Sequence, residues 1–412
     1  MDLKLKIGLI WRIVIAIALA IVLGVLLPQI PKIGEAFTDW FVSLAATFNM
    51  IFGGFLNFIV PLIIIAFITP GIAKLGKGSG KLLGLATAFA YISTIVAGII
   101  AYFSATTLLP GFIGSIGDGN VGKAGRTAAK AFFELEMAPI MGVMSALLLA
   151  FVLGIGMASI GSKAMLAVFD ELNVLIEKVI AFVIIPLLPF HIFGIFLNMT
   201  YTGEVAKVLS VFAMVFVMII VLHFIMLTIQ YTIAGTLSKR NPFFLMKTMA
   251  PAYLTALGTQ SSAATIPVTL RQARKTGASD KVTDFTIPLF ATIHLSGSTI
   301  TLVSCSIGVM LMNGMPVVFG DFLPFIFMLG VAMIAAPGVP GGAVVAATGL
   351  LVSMLGFDPT MVALMIALYM AQDSFGTATN VTGDGALAII VDRFTDSDDG
   401  ASAKTNIEPE QY

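Results

Sequence analysis

Long apolar runs constrain this chain more than any other feature, because each is long enough to cross a lipid bilayer. A membrane-spanning helix needs about 20 mostly apolar residues. Six stretches meet that length: 7–27, 45–72, 82–109, 137–160, 174–197 and 208–237. The first is too long for a signal peptide and is followed by no small-residue cleavage site. We therefore predict a polytopic membrane protein.

The composition excludes several other classes of protein. Only 11% of the 412 residues are charged, with 22 basic and 22 acidic side chains, and 58% are hydrophobic. A soluble domain usually carries about 25% charged residues, so a soluble enzyme is not expected. The zero net charge offers no basic surface for nucleic acid. The single cysteine, Cys305, excludes an internal disulfide and a zinc or iron–sulfur site built from cysteines.

Basic residues predict the orientation of the chain, because short cytoplasmic loops are rich in lysine and arginine. Four basic clusters share one side if the N-terminus is cytoplasmic: Lys4 and Lys6; Lys74, Lys77 and Lys81; Lys239, Arg240 and Lys247; and Arg271, Arg274, Lys275 and Lys281. The segment 110–133, with Lys123, Arg126 and Lys130, is the exception. We predict a cell inner (plasma) membrane protein with both termini cytoplasmic and a solvated polar tail, 396–412.

Two stretches in the second half are too polar or too broken to form continuous spans. Residues 255–270 include a run without large apolar side chains, and residues 333–349 contain prolines and glycines that end a helix. Irregular backbone at membrane depth is tolerated only inside protein or beside a water-filled cavity. We therefore predict two re-entrant hairpins that enter from opposite sides, with an ordinary cytoplasmic loop as the alternative for the first.

Each predicted hairpin is followed by an unusual helix. Residues 285–312 are interrupted at 294–298, and residues 361–391 contain a polar run, 372–384. Repeats of opposite orientation with discontinuous helices are typical of secondary transporters. The chain has no GxxxxGK[ST] phosphate loop, so nothing indicates a pump driven by ATP.

Four polar residues share one face of the last predicted helix. Asp373, Thr377, Asn380 and Asp384 are spaced by 4, 3 and 4 residues, which matches a helical period. No lysine or arginine lies near either aspartate on this helix, so we expect both carboxylates to lack a resident partner. Membrane carboxylates usually mark substrate or ion pathways. We predict two transient cations, a substrate ammonium and a metal ion such as Na⁺ at Asp384; structural hydrogen bonding is the alternative for Thr377 and Asn380.

Four motifs resemble those of the dicarboxylate/amino acid:cation symporter family, which includes bacterial aspartate and glutamate transporters. They are QSSAATIPVT (260–269), ATIHLSGS (291–298), GVPGG (338–342) and NVTGD (380–384), in that order. The resemblance implies an all-α fold of eight transmembrane helices and two re-entrant hairpins. It also implies a homotrimer in membrane lipid, in which each transport domain moves as an elevator against a fixed scaffold.

The same resemblance divides the chain into scaffold and transport segments. Residues 1–72 (helices 1 and 2) and 137–203 (helices 4 and 5) would form the scaffold. Residues 73–136 (helix 3 and an extracellular loop), 204–243 (helix 6) and 244–395 (both hairpins, the broken helix 7 and helix 8) would move with the substrate.

The resemblance also implies the substrate contacts residue by residue. Ser261 and Ser262, at the first hairpin tip, would offer N–H and hydroxyl groups to the substrate α-carboxylate, and Asp373 would bind the α-ammonium. The other implied contacts are Thr377 and Asn380, with Gly338 and Val339 closing over the substrate from outside.

Sodium sites are implied in the same way. Asp384 and the carbonyl of Asn380 would form one site, and backbone carbonyls around Thr292 and at the second hairpin would form another. The candidate carbonyl ligands are Phe290, Thr292, His294, Met333, Ile334 and Ala336.

Two positions depart from the acidic-substrate pattern. Gly376 stands where those members carry an arginine that grips the substrate side-chain carboxylate, and Gln260 stands where many carry another arginine. Glycine supplies no bidentate cation. The pattern 372–380 and the motif at 240–243 resemble the bacterial serine/threonine–sodium symporter branch. We therefore predict a neutral amino acid, serine or threonine first, with alanine, cystine or an acidic substrate as alternatives.

Departures at the broken helix concern the ions. His294 and Ser296 replace an asparagine and an aspartate of a third sodium site, and apolar Phe89 and Ala90 align with the Thr-Ser pair that usually faces it. We expect that site to be lost, which leaves about two Na⁺. His294 is expected to be a neutral replacement for asparagine, with a proton-carrying role as the alternative. His191 and His223 are expected to be packing or interfacial residues.

Two rival classes of protein are less consistent with the sequence. An intramembrane aspartyl protease needs two carboxylates that share a proton across facing helices, whereas Asp373 and Asp384 lie on one helix, ~16 Å apart at 1.5 Å per residue. A channel would not need an aspartate for a substrate ammonium.

Overall fold

The computed structural model describes residues 9–30, 34–77, 81–117, 128–334, 336 and 340–403. All regular secondary structure in these residues is helical, which confirms the predicted all-α fold. The first half contains α1 (Leu9–Leu26), α2 (Gly34–Lys77), α3 (Lys81–Gly117), α4 (Val143–Ile160), α5 (Lys163–Val179), α6 (Ile185–Thr202) and α7 (Val205–Ser238). A π-helical turn, Ile180–Ile184, joins α5 to α6, so the predicted fifth span is one long segment with an irregular centre.

The second half consists of shorter helices followed by one long helix. They are α8 (Pro242–Thr248), α9 (Ala250–Thr259), α10 (Ser262–Lys275), α11 (Asp280–Ile293), α12 (Ser296–Met312), α13 (Phe319–Ile334), α14 (Gly342–Leu355) and α15 (Pro359–Ala403). α9 packs against α10, and α13 packs against α14. These are the two predicted hairpins, and the first is not an ordinary loop.

The hairpin tips and the interruption of the broken helix have local causes. Gln260, at the first tip, has a left-handed backbone (φ 54°), and the Ser261 side chain caps α10 by accepting the N–H of Ala264. Gly341, at the second tip, has φ 75°, a conformation that favours glycine. Between the hairpins, α11 ends because His294 is extended (φ −111°, ψ 100°) and Leu295 is also non-helical.

Seven segments of the described chain are long and apolar enough to cross a membrane. The predicted fourth span corresponds to Ser145–Ile160, which is shorter, so the count of eight spans stays a prediction. The orientation also stays a prediction, since Lys4, Lys6, Lys123 and Arg126 lie outside the described residues. α15 continues to Ala403, so the first part of the predicted polar tail is helical, and residues 404–412 are not described.

The helices pack in two groups. α2 contacts α4, α5 and α6, and α1 contacts α6. α12 contacts α3, α7 and α15, while α15 also contacts α9 and α11. The segments Asp280–Met312 and Pro359–Thr395 are the most deeply buried of the seven, so the polar residues on them are shielded by protein. The two groups also meet, since α2 contacts α14 and α6 contacts α15, and the division into scaffold and transport segments stays a prediction.

Close packing between α12 and α15 leads to a first prediction. A Cβ atom at Gly297 would lie 2.5 Å from the carbonyl oxygen of Gly376 and 2.6 Å from Cβ of Thr379. We expect Gly297→Ala to force the helices apart and to lower the melting temperature of the purified protein, at a cost of about 1–3 kcal/mol. Gly156→Ala is the matched control, because no atom lies within 4 Å of its added Cβ. Equal melting temperatures for the two variants would contradict this packing.

Candidate functional site

The polar stripe predicted on the last helix lies on α15 and faces protein. Asp373, Thr377, Asn380 and Asp384 are each at most 6% exposed. Burying polar side chains at this depth is unfavourable unless each finds hydrogen-bond partners or a ligand. The partners of the four residues differ, and the differences separate structural from ligand-binding roles.

Asn380 holds the broken helix in place. Its Oδ1 accepts the backbone N–H of Gly297 at 2.8 Å and of Ser298 at 3.3 Å, and its Nδ2 donates to Ser298 Oγ at 2.9 Å. The first N–H groups of a helix have no partner within the helix. The Asn380 side chain therefore caps α12, which supports the structural alternative for this side chain and leaves its backbone carbonyl as the candidate ligand.

Asp384 has a resident partner that the sequence analysis did not predict. Asp384 Oδ1 lies 2.8 Å from His294 Nδ1, and both side chains are almost wholly buried. The expectation that Asp384 lacks a partner is therefore wrong, because the interruption of the broken helix brings His294 against α15 from 90 positions away. Asp384 Oδ2, in contrast, has no hydrogen-bond partner among the described residues.

A cation fits at this unpartnered oxygen. An unpaired carboxylate oxygen in a buried site is costly, and hard cations prefer oxygen ligands. No group of three or more His, Cys, Asp or Glu side chains in the described residues is arranged to hold a metal. The remaining ligands would therefore be backbone carbonyls, such as those at the C-terminal end of α11, where the helix stops.

In α3, the residue that contacts His294 is Ser93, and not the predicted Phe89 or Ala90. Ser93 Oγ lies 3.0 Å from His294 Nε2. Phe89 instead contacts the ring of Phe394, and the Ala90 carbonyl accepts the hydroxyl of Thr94. The alignment with Phe89 and Ala90 is therefore wrong by one helical turn. Ser93 and Thr94 are adjacent buried hydroxyl residues of α3, and spacing alone does not distinguish their turn from the others of this apolar helix.

Two residues of α7 were missed as parts of the site. Gln230 Nε2 donates to Ser93 Oγ at 2.9 Å and to Ser296 Oγ at 3.3 Å. His223 is buried, as expected for a packing residue, but its Nε2 also lies 3.0 Å from the carbonyl oxygen of Gly297. These polar residues are seven positions apart, which places them on one face of α7. That spacing was the available signal.

Asp373 contacts the second hairpin. Its Oδ2 accepts the backbone N–H of Gly341 at 2.8 Å, so the N-terminus of α14 is held against α15. Gly338 and Val339, the predicted closing residues, lie outside the described residues. Thr377 is buried one turn after Asp373, and no partner of its hydroxyl is seen in the described part of the chain.

The first hairpin places its serines at a helix N-terminus. Ser261 caps α10, and Ser262 is its first residue and is buried. Thr259 and Thr265 hydroxyls lie 3.0 Å apart across the tip. Helix N-termini bind carboxylates through free N–H groups and the helix dipole, which fits the predicted role of this tip.

The predicted carbonyl ligands fall at helix ends. Phe290 is buried, and its carbonyl accepts the N–H of His294 at 2.9 Å. Thr292 has an exposed side chain, although the ligand expected from it is its carbonyl. The residues of the second hairpin end α13 or follow it: Met333 and Ala336 are buried and Ile334 is half-buried.

Gly376 faces the N-terminus of α12. A Cβ atom added there would lie 3.4 Å from Ser298 N and 3.5 Å from Ser298 Cα, which is ordinary van der Waals contact. Position 376 therefore has room for a Cβ atom, and the packing does not require glycine there.

Comparison with known proteins identifies the family. The model of the sodium:dicarboxylate symporter family matches residues 9–394. The chain belongs to this family. It is 26% identical over 273 residues to an excitatory amino acid transporter of Caenorhabditis elegans, which is 64% of this chain and 53% of that protein. It is 28% identical over 291 residues to excitatory amino acid transporter 1 of Rattus norvegicus, 67% of this chain and 52% of that protein.

Membership of the sodium:dicarboxylate symporter family confirms the resemblance inferred from the four motifs. A shorter match to excitatory amino acid transporter 3 of Mus musculus reaches 34% identity over 158 residues. The chain spans about half the length of the curated relatives it matches. With the seven apolar segments, the family indicates a multi-pass membrane protein.

The capping role of Asn380 gives a second prediction. Asn380→Ala leaves the N–H groups of Gly297 and Ser298 buried without a partner, so we expect about 1–3 kcal/mol lower stability. Denaturant unfolding of the purified protein in detergent measures this change. Asn313→Ala is the control, because Asn313 is an exposed residue at the other end of α12 that bonds a carbonyl of its own helix. A loss of stability no greater than that of the control would exclude the capping role.

Proposed function

We propose that this family member is a secondary active symporter that imports a small neutral amino acid, serine or threonine first, together with Na⁺. Asp373 binds the substrate ammonium group, the tip of the first hairpin binds its α-carboxylate, and Thr377 lies between them on the α15 stripe. The observation that supports a neutral substrate is that no lysine or arginine is available to bind a second carboxylate, on the substrate side chain.

The sequence around the site strengthens this argument. Between Lys281 and Arg393 the chain contains neither lysine nor arginine. That segment supplies the broken helix, the second hairpin and the polar stripe of α15. An acidic substrate would place its side-chain carboxylate among these elements without a countercharge, which is costly. A hydroxyl side chain has no such requirement.

Acidic substrates are the second candidate. The family is named for sodium and dicarboxylates, and the relatives are named excitatory amino acid transporters. Uptake into proteoliposomes separates the candidates, with a panel of serine, threonine, alanine, cystine, aspartate and glutamate under separate Na⁺ and H⁺ gradients. Serine or threonine uptake driven by Na⁺ supports the proposal. Aspartate uptake, or uptake driven only by H⁺, would contradict it.

The ions and the movement are part of the same proposal. About two Na⁺ are coupled: one at Asp384 and the Asn380 carbonyl, the other at carbonyls around Thr292, Met333 and Ala336. The third family site is lost, since Ser93 is engaged with His294. We further propose a homotrimer in which α1, α2, α4, α5 and α6 form a scaffold, and α3 with α7–α15 moves as an elevator.

The role of Asp373 gives a third prediction. Asp373→Asn removes the countercharge of the substrate ammonium group, so we expect serine binding and uptake to be abolished. Radiolabelled uptake and binding by calorimetry measure this loss. Asp358→Asn is the matched control, because exposed Asp358 caps the same helix by accepting the N–H of Met361, a role that asparagine also performs. Undiminished serine uptake by Asp373→Asn would refute the assignment.

The position of Gly376 gives a fourth prediction. Gly376→Arg introduces a cation one turn from the ammonium site, so we expect the ratio of aspartate uptake to serine uptake to rise by about tenfold or more. Gly376→Ala is the control for size, because its Cβ fits without charge. An unchanged ratio in Gly376→Arg, with the protein folded, would show that this position does not select the substrate.

A further inference from the structure

A cluster of buried polar side chains connects four helical segments beside the interruption of the broken helix. We define the Asp384 cluster as Ser93 of α3, Gln230 of α7, His294 and Ser296 at the interruption, and Asp384 of α15. All five are buried. Neither Ser93 nor Gln230 touches the predicted substrate residues in any described hydrogen bond, so the cluster has no evident role in binding the amino acid.

The hydrogen bonds of the cluster form one connected series. A carboxylate only accepts, so His294 Nδ1 carries the proton that bonds Asp384 Oδ1 at 2.8 Å. The other ring nitrogen, His294 Nε2, lies 3.0 Å from Ser93 Oγ. Ser93 in turn accepts from Gln230 Nε2 at 2.9 Å. This series of hydrogen bonds runs from Gln230 through Ser93 and His294 to Asp384.

This series of hydrogen bonds leaves one oxygen of Asp384 available to bind a cation. Oδ1 is occupied by His294, while Oδ2 is buried and has no partner among the described residues. The carboxylate is thus held by one oxygen and presents the other. The close approach of α7 is permitted by Gly383, since a Cβ there would lie 2.6 Å from Gln230 Oε1.

We propose that Ser93 and Gln230 are positioning residues of the sodium site: acting through His294, they fix the orientation of Asp384 so that Oδ2 faces the cation. This inference rests on the proposed function in so far as the cation is Na⁺. Groups that orient a metal ligand from behind typically change metal affinity by about 10–100-fold when removed. The substrate residues lie elsewhere on α15, so amino-acid affinity at saturating Na⁺ is expected to change little.

Sodium binding by the purified full-length protein tests the proposal. The melting temperature is measured against NaCl concentration, with choline chloride keeping ionic strength constant, because a bound ligand stabilises the folded state. We expect Ser93→Ala to raise the half-saturating Na⁺ concentration about tenfold and Ser93→Thr, which keeps the hydroxyl, to restore it within about twofold. Gln230→Ala is expected to raise it as well.

The matched control is Ser306→Ala. Ser306 is a buried serine of α12 whose hydroxyl bonds the Leu302 carbonyl of its own helix, so its removal leaves the half-saturating Na⁺ concentration unchanged. A Ser93→Ala half-saturation equal to that of this control would overturn the proposal. So would a failure of Ser93→Thr to restore Na⁺ affinity, since the hydroxyl would then not be the relevant group.

A spectroscopic measurement on the wild-type protein tests the hydrogen bonds of His294 even if the Ser93 and Gln230 variants do not fold. The chain has three histidines, so ¹⁵N-histidine spectra in lipid bilayers are assigned by single substitutions. We expect Nδ1 of the His294 ring to carry a proton that is hydrogen-bonded to Asp384, and Nε2 to show a hydrogen bond to Ser93. An Nδ1 without a proton, or an Nε2 without a hydrogen bond, would overturn the proposal.

The wild-type results also separate this inference from the proposed function. A wild-type protein that shows Na⁺-dependent stabilisation and Na⁺-driven uptake, with Ser93→Ala unaffected, contradicts only the positioning role. A wild-type protein with neither property contradicts the sodium coupling and overturns both.

Discussion

The capping of α12 by Asn380 is the interaction on which the rest of the core depends. An interrupted helix exposes backbone N–H and C=O groups, and in a bilayer these must be satisfied within the protein. Asn380 satisfies two N–H groups at once, and His223 bonds the carbonyl of Gly297. The interruption therefore requires a polar side chain on α15, since only the N–H groups in the first turn of α12 lack partners within the helix.

The same interruption creates the candidate ion site. Because α11 stops at Ile293, its last carbonyls lose their partners within the helix. The extended backbone of His294 then places the imidazole against Asp384. Carbonyl oxygens and a fixed carboxylate are thus produced by one local change of backbone direction. Closing the interruption into a regular helix would pair these carbonyls and move His294 away from Asp384, so the structural role of this segment is linked to its proposed ion-binding role.

The features that the sequence predicted correctly depend on local spacing. The stripe on α15 follows from the helical period, and the hairpins follow from polar or proline-rich runs between apolar flanks. The partners of the stripe depend on long-range packing. His294 is 90 positions from Asp384. Every side of an apolar helix can pack against protein or lipid, so the sequence does not show which turn of α3 faces His294. This is why Ser93 was missed and Phe89 and Ala90 were chosen.

The proposed substrate rests more on the distribution of charge than on family membership. Asp373 is proposed to bind the ammonium group that all amino acids share. Selection among amino acids must come from groups that face the side chain. Between Lys281 and Arg393 this chain offers hydroxyls, amides and carboxylates but no cation. A second substrate carboxylate would be a fourth buried negative charge, after Asp373, Asp384 and the substrate α-carboxylate, and like charges in a low-dielectric site repel strongly. The charge already present in the site therefore favours a substrate whose side chain is neutral.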